Sequence, residues 1–134
     1  MNKFLNYSLS KFDLSYTVNI NENFDCIIKN RDIVDPEVIS VGEAKIINIS
    51  IALSYLNIIL SKQQSNLIFL DEVLDGVDEE NRYTVVDILR ELCRKFNTNI
   101  IIVHHSSMDY NKFDRIIETR KVNKFSELKD FKIN

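Results

Sequence analysis

The sequence predicts an α/β fold: a parallel sheet with flanking helices, preceded by an N-terminal antiparallel hairpin. Three observations predict it. LSYTVNI (14–20) alternates apolar and polar residues, and FDCIIKN (24–30) follows after a short polar turn. Two unbroken apolar runs, LIFL (67–70) and NIIIV (99–103), flank one amphipathic segment of helical length. A long, almost wholly apolar stretch between hairpin and first run supplies a buried helix.

Each element follows from local chemistry. Alternation with period two marks residues 14–20 as a half-buried strand, and NEN (21–23) turns the chain into an antiparallel partner. RDIVDPEV (31–38) reads as a loop, with Pro36 marking irregular backbone. Ser40 followed three residues later by Glu43 is a capping box, so a helix starts near Val41 and runs to about Leu60. Its apolar residues cover most of the circumference, which predicts a central, buried helix. LIFL is an interior parallel strand by composition. Asp78 caps the next helix, with Glu79 and Glu80 in its first turn. Val85, Leu89, Leu92 and Phe96 give that helix one apolar face, ending near Asn97. Strand, helix and strand at this spacing form a βαβ unit with a right-handed crossover. RIIETRKV (115–122) reads as an edge strand.

Composition sets limits. With 134 residues, 45% hydrophobic and one proline, residues 1–134 are expected to form a single domain. The net charge of −3 gives no global basic field, so any contact with DNA must be local. Cys26 and Cys93 lack CxxC spacing and read as buried thiols of a reducing compartment. MNKFLNYSLSK lacks the apolar core of a signal peptide. Asn48, Ser50, Ser54 and Asn57 make the longest apolar stretch a poor membrane span. The expected location is therefore the cytoplasm, with no membrane partner. The chain has two glycines, Gly42 and Gly76, so neither a G-x-x-x-x-G-K-[ST] phosphate loop nor a three-glycine dinucleotide fingerprint exists in it.

The chemistry gathers at strand ends. In parallel sheets, ligands bind outside the carboxyl ends of the strands. Asp71 and Glu72 stand at one such end; His104 and His105 stand at the next. Side chains alternate along an extended segment, so Asp71 and Glu72 are expected to face different ways. One then holds a hydrated Mg²⁺ while the other polarises water, a division that suits phosphoryl transfer. The helix start at SVGE exposes free N–H groups suited to phosphate. Taken singly, each feature also has a plain reading: acids ending a strand in solvent, a capped helix, a polar loop histidine. Their order and spacing set the group apart.

That order resembles the C-terminal lobe of an ABC-type P-loop ATPase head. ISVGE resembles the signature motif LSGGE, LIFLDE the Walker B strand with its catalytic Glu, VLDGVD the D-loop, and IIIVHH the switch-histidine strand. More narrowly, the chain resembles the SMC-like ATPase subunit of recombination nucleases, the SbcC type and its bacteriophage counterpart. NKFLNYSLSKFDLSYTVNINENF looks like the segment after the returning coiled-coil arm, and FDRIIETRKVNKFSEL like the last strand.

The resemblance implies roles. Ser40, Gly42 and Glu43 belong to the signature, and Ser40 with the Gly42 backbone would meet the γ-phosphate of ATP bound by an opposing head. Asp71 would hold Mg²⁺ through water, Glu72 would be the general base, and Asp78 would reach across the dimer. His105 would sense the γ-phosphate, because VHH aligns with the family's V-S-H and sets His104 at the Ser position. Val41 stands where the signature has its first glycine. The implied partners are an N-terminal Walker A lobe, a second head, a nuclease subunit, and DNA through the assembled complex; a phage-encoded chain would work in the host cytoplasm. On this reading the chain is half an ATP hydrolase, inactive without the Walker A lobe. The alternative is a non-catalytic binding module that keeps the lobe fold and docks on a head or nuclease.

Overall fold

The computed structural model describes residues 1–30, 32–33, 38–63, 65–105 and 108–132. The chain divides into two units, Met1–His104 and His105–Asn134.

The first unit opens with a helix that the sequence did not announce, α1 (Asn2–Ser10). It is nine residues long and has no side-chain N-cap, so its helicity comes from tertiary contacts rather than propensity. Leu5 and Leu9 are fully buried, and α1 packs against α2 (Val41–Lys62). Its polar side is equally committed. Strands β1 (Thr17–Ile20) and β2 (Cys26–Asn30) form the expected antiparallel hairpin, Val18 opposite Ile28. On the free edge of β1, the Asn6 side chain accepts from Val18 N at 2.9 Å and donates to Val18 O at 2.8 Å. Asn2 does the same to Ile20 N and Ile20 O, both at 3.0 Å. Two side-chain amides thus stand in for a neighbouring strand, satisfying backbone groups that an edge leaves open. Most of the expected loop 31–38 lies outside the described residues; within it, β3 (Asp32–Ile33) pairs antiparallel with β2.

Helix α2 begins where the capping box placed it. It packs chiefly on α1 and on α3 (Glu79–Phe96). Ile46, Ile47, Ile49, Ser50, Leu53, Ser54 and Leu60 are buried, and the Ser54 hydroxyl is satisfied by Ser50 O at 2.7 Å. The helix is less central than its composition implied. Asn48, Ala52, Tyr55 and Ile59 recur at helical spacing on one side and remain exposed among the described residues. Its length and hydropathy match a membrane-crossing helix, yet the buried serines and its packing on α1 and α3 are those of a core helix.

The βαβ unit is present as expected. Strands β4 (Leu67–Asp71) and β5 (Asn99–Val103) pair in parallel, from Leu67 opposite Asn99 to Asp71 opposite Val103. Between them runs α3, capped by Asp78 and closed by Asn97 in the left-handed conformation at φ 50°. Val85, Val86, Ile88, Leu89 and Leu92 are buried; Phe96 is half-buried, with the Lys95 ammonium 4.8 Å from its ring centre. One side of the strand pair is bare. Leu67, Phe69, Ile101 and Val103 all point to that side and are exposed, Phe69 by 65%. Parallel strands are ordinarily covered on both faces. The cysteines depart from expectation: neither forms a disulfide, but Cys26 is exposed and Cys93 half-buried, because Cys26 sits at the open start of a two-sided hairpin strand rather than in the core.

The second unit is built on an antiparallel hairpin, β6 (Arg115–Val122) with β7 (Phe125–Lys132). RIIETRKV forms the expected strand; its partner was not foreseen. The turn residues Asn123 and Lys124 both have positive φ, 47° and 72°. This matches the twist of a two-residue hairpin, but without the glycine that would have signalled it.

Candidate functional site

The loop from Glu72 to Asp78 carries two of the expected site residues, Glu72 and Asp78, and follows a third, Asp71. Strand β4 ends at Asp71, and Glu72 takes a left-handed backbone at φ 51° while its N–H still bonds Val103 O at 3.1 Å. A non-glycine residue there is uncommon and costs energy that the surroundings must offset. The pleat expected to direct Asp71 and Glu72 oppositely therefore stops one residue early: Glu72 is oriented by its own backbone, not by strand alternation. Both acids are exposed. Among the described residues no side chain engages either carboxylate.

Past Glu72 the chain folds back on itself. Asp75 N bonds Glu72 O at 3.0 Å and Val77 N bonds Leu74 O at 3.2 Å. Leu74 and Val77 are buried and pin the loop to the core. Gly76 has φ 63°, a conformation that glycine adopts at least cost. Asp78 is the α3 N-cap, accepting from Asn81 N at 3.0 Å and Asn81 Nδ2 at 2.6 Å. These two bonds, backbone first, hold its carboxyl below its ordinary pKa.

At the start of α2 the capping box is complete. Ser40 Oγ accepts from Glu43 N at 3.2 Å, and the Glu43 carboxylate accepts from Ser40 Oγ at 2.6 Å and Ser40 N at 3.0 Å. The Ser40 hydroxyl, the Ser40 N–H and then the Tyr16 hydroxyl lower the Glu43 pKa. Val41 is 88% exposed. A Cβ added at Gly42 would meet nothing within 4 Å among the described residues, so none of them requires glycine there.

Two depressed carboxylates make the caps pH-dependent in a known sense. A carboxyl whose folded pKa lies below its unfolded value stabilises the fold above the unfolded pKa, and that stability is lost as pH falls through the folded pKa. Acidification below about pH 4, the ordinary carboxylate range, should therefore loosen the first turns of α2 and α3 before their centres. Amide exchange of residues 41–44 and 79–82 measures this. Glu43→Gln should abolish the acid dependence at α2 and leave that at α3; loss at both would sink the local assignment.

At the end of β5 the two histidines differ in burial. The His104 side chain is 7% exposed, and its Nδ1 lies 3.1 Å from Asp75 Oδ1. His105 is exposed. The Asp75 main chain is also held: Lys45, one turn into α2, donates its Nζ to Asp75 O. Lys45 and Asp75 were not singled out from the sequence. They are far apart in the chain, and neither belongs to a periodic pattern that would reveal them.

No protein-family model matches the chain. Its sequence is 29% identical over 130 residues to exonuclease subunit 2 of Enterobacteria phage T4, spanning 93% of this chain and 23% of that protein. Among solved structures, it superposes at TM-score 0.71 on a chain from work on ATP-driven dimerisation and DNA-stimulated activation of SMC ATPases. That match has 17% identity over 97% of this chain and 82% of the other. The fold is that of part of an SMC head. A second such head, bound to the C-terminal winged-helix domain of ScpA, gives TM-score 0.75 at 15% identity, over 98% of this chain and 42% of that one. The Pyrococcus furiosus Smc head with an extended coiled coil, bound to the C-terminal domain of ScpA, gives 0.70 at 14%, covering 98% and 34%. The chain fits the C-terminal half of an SMC-type head, and it spans less than a quarter of the curated relative it matches.

Proposed function

We propose that this chain is the signature and Walker B lobe of an SMC-like DNA-repair ATPase subunit, whose Mg-ATP hydrolysis regulates a DNA nuclease. One observation carries the reading. Within an SMC-type lobe, Asp71 and Glu72 leave β4 beside the end of β5, and their carboxylates are unengaged among the described residues. Oxygen-only ligands at an exposed strand end fit a hydrated Mg²⁺, which keeps several of its waters. Bound Mg-ATP supplies the phosphoryl group and neutralises its charge. Asp71 holds the metal's water shell. Glu72 would take a proton from the attacking water, and its carboxylate is exposed and unengaged among the described residues. His105, next in the chain after the buried His104, senses the γ-phosphate. Ser40 and the Gly42 backbone face the nucleotide of an opposing head, and the open space at Gly42 supports an approach from outside; Asp78 reaches across the same dimer. Glu43 supports Ser40 through the capping box.

The bare apolar face of β4–β5 supports an N-terminal Walker A lobe as the partner that completes the sheet. A nuclease subunit, DNA bound through the complex, and a cytoplasmic location belong to the same reading. Mixing the chain with the Walker A lobe of the same subunit tests it. Mg²⁺-dependent ATP hydrolysis should appear, second-order in heads because Ser40 acts on the opposing nucleotide, and Ser40→Arg should abolish it. A lobe that binds tightly yet restores no hydrolysis would make the chain a non-catalytic docking module.

A further inference from the structure

Asp75 is held from two directions by elements distant in sequence. Its carbonyl receives the Lys45 ammonium from α2, one turn beyond Ser40. Its carboxylate lies 3.1 Å from Nδ1 of His104, at the end of β5. Its neighbours Leu74 and Val77 are buried, so Asp75 is one polar point at which the Glu72–Asp78 loop is fixed to the rest of the lobe, beside the Glu72 N–H bond to Val103 O. We propose that His104 is a positioning residue: through Asp75 it holds the Glu72–Asp78 loop, and Lys45 ties the same residue to the helix that begins at Ser40.

The physical case rests on burial and charge. A histidine side chain 7% exposed beside a carboxylate is shielded from water, and a shielded contact with a charged group is stronger than one at the surface. The loop needs such a hold. Glu72 sits in a left-handed conformation and Gly76 in another, and unusual backbone persists only where its surroundings over-determine it. The His104 side chain is shielded, while its neighbour His105 is exposed. The geometry also gives α2 and the loop a common anchor, so a displacement of the α2 start reaches Glu72 through Lys45 and Asp75.

This rests on the ATPase reading for its kinetic consequence alone, and the test separates the two. In the full chain, His104→Ala should speed amide exchange across residues 72–78 by about tenfold, the scale of one lost buried polar contact. Exchange at the α3 core, 85–92, should not move. His104→Asn, which keeps a donor near the Nδ1 position, should recover most of the protection. Asp75→Ala should match His104→Ala, and the double variant should be no worse than either, the signature of one shared interaction. Unchanged protection in His104→Ala, or additive losses in the double variant, would overturn the inference. In the head completed with its Walker A lobe, His104→Ala should lower kcat and leave the KM for ATP within about twofold, as expected for lost transition-state alignment. A parallel collapse of ATP binding would mean that His104 touches nucleotide, and would overturn it too. A completed wild-type head without hydrolysis would instead sink the ATPase reading, and the exchange results would then decide the role of His104.

Discussion

Glu72→Gln in the completed head should cut ATP hydrolysis by about 10²-fold or more and leave ATP binding intact. General-base catalysis contributes roughly that factor, and glutamine keeps the size of the side chain but cannot accept a proton. The exposure of Glu72 and its unengaged carboxylate leave the substitution no structural partner to disturb among the described residues. Its backbone should tolerate glutamine as it tolerates glutamate, since the strain belongs to φ 51° and not to charge. The variant should therefore fold normally and accumulate as an ATP-bound dimer, visible by size-exclusion chromatography with Mg-ATP. A fall in turnover of less than about threefold would remove Glu72 from the role of base.

Residues 1–134 by themselves should hydrolyse no measurable ATP and bind it at best in the millimolar range. Gly42 and Gly76 are too far apart to build a phosphate loop, so the chain cannot wrap the β-phosphate in backbone N–H groups or follow them with a neutralising lysine. What does face solvent at the strand end is acidic, Asp71 and Glu72, and repels a polyanion. The start of α2 offers an anion about 1 kcal/mol or less when exposed. Micromolar affinity needs about 8 kcal/mol. The gap is too wide for small adjustments to close. Isothermal calorimetry with Mg-ATP checks it, and tight, Mg²⁺-dependent binding by this chain would overturn the half-site reading.

Much of this molecule was legible because its signals are local. The capping box at Ser40 and Glu43, the Asp78 cap and the period-two run of β1 each depend on residues within a few positions of one another. Those elements appear with boundaries close to the expected ones. Helix α1 was not legible, since nine residues without a cap carry no signal of their own; Asn2 and Asn6 become informative only once β1 lies beside them. The same holds for β7, whose turn uses Asn123 and Lys124 where glycine is the usual marker. At the site, the residue types were readable and their orientation was not. Glu72 escapes strand alternation through one dihedral angle, and Asp75 owes its importance to Lys45 and His104, which meet it only after folding. The exposed side of α2 was misread for a related reason: hydrophobicity all round a helix reports what it can bury, not what this chain supplies to bury it.

The paired amides of Asn2 and Asn6 have a mechanical consequence. Each grips both the donor and the acceptor of one β1 residue, Val18 or Ile20. A helix attached by apolar contacts alone can slide or roll by small steps, because such contacts have no direction. A helix attached by two bidentate clasps one turn apart cannot: rotation about its axis breaks both at once, and translation by one residue puts each amide opposite the wrong face of the strand. Leu5 and Leu9 supply the adhesion, and the asparagines supply the gearing. A torque applied at the start of α1 is thus delivered to the β1–β2 hairpin without slip, and the two turn as one lever.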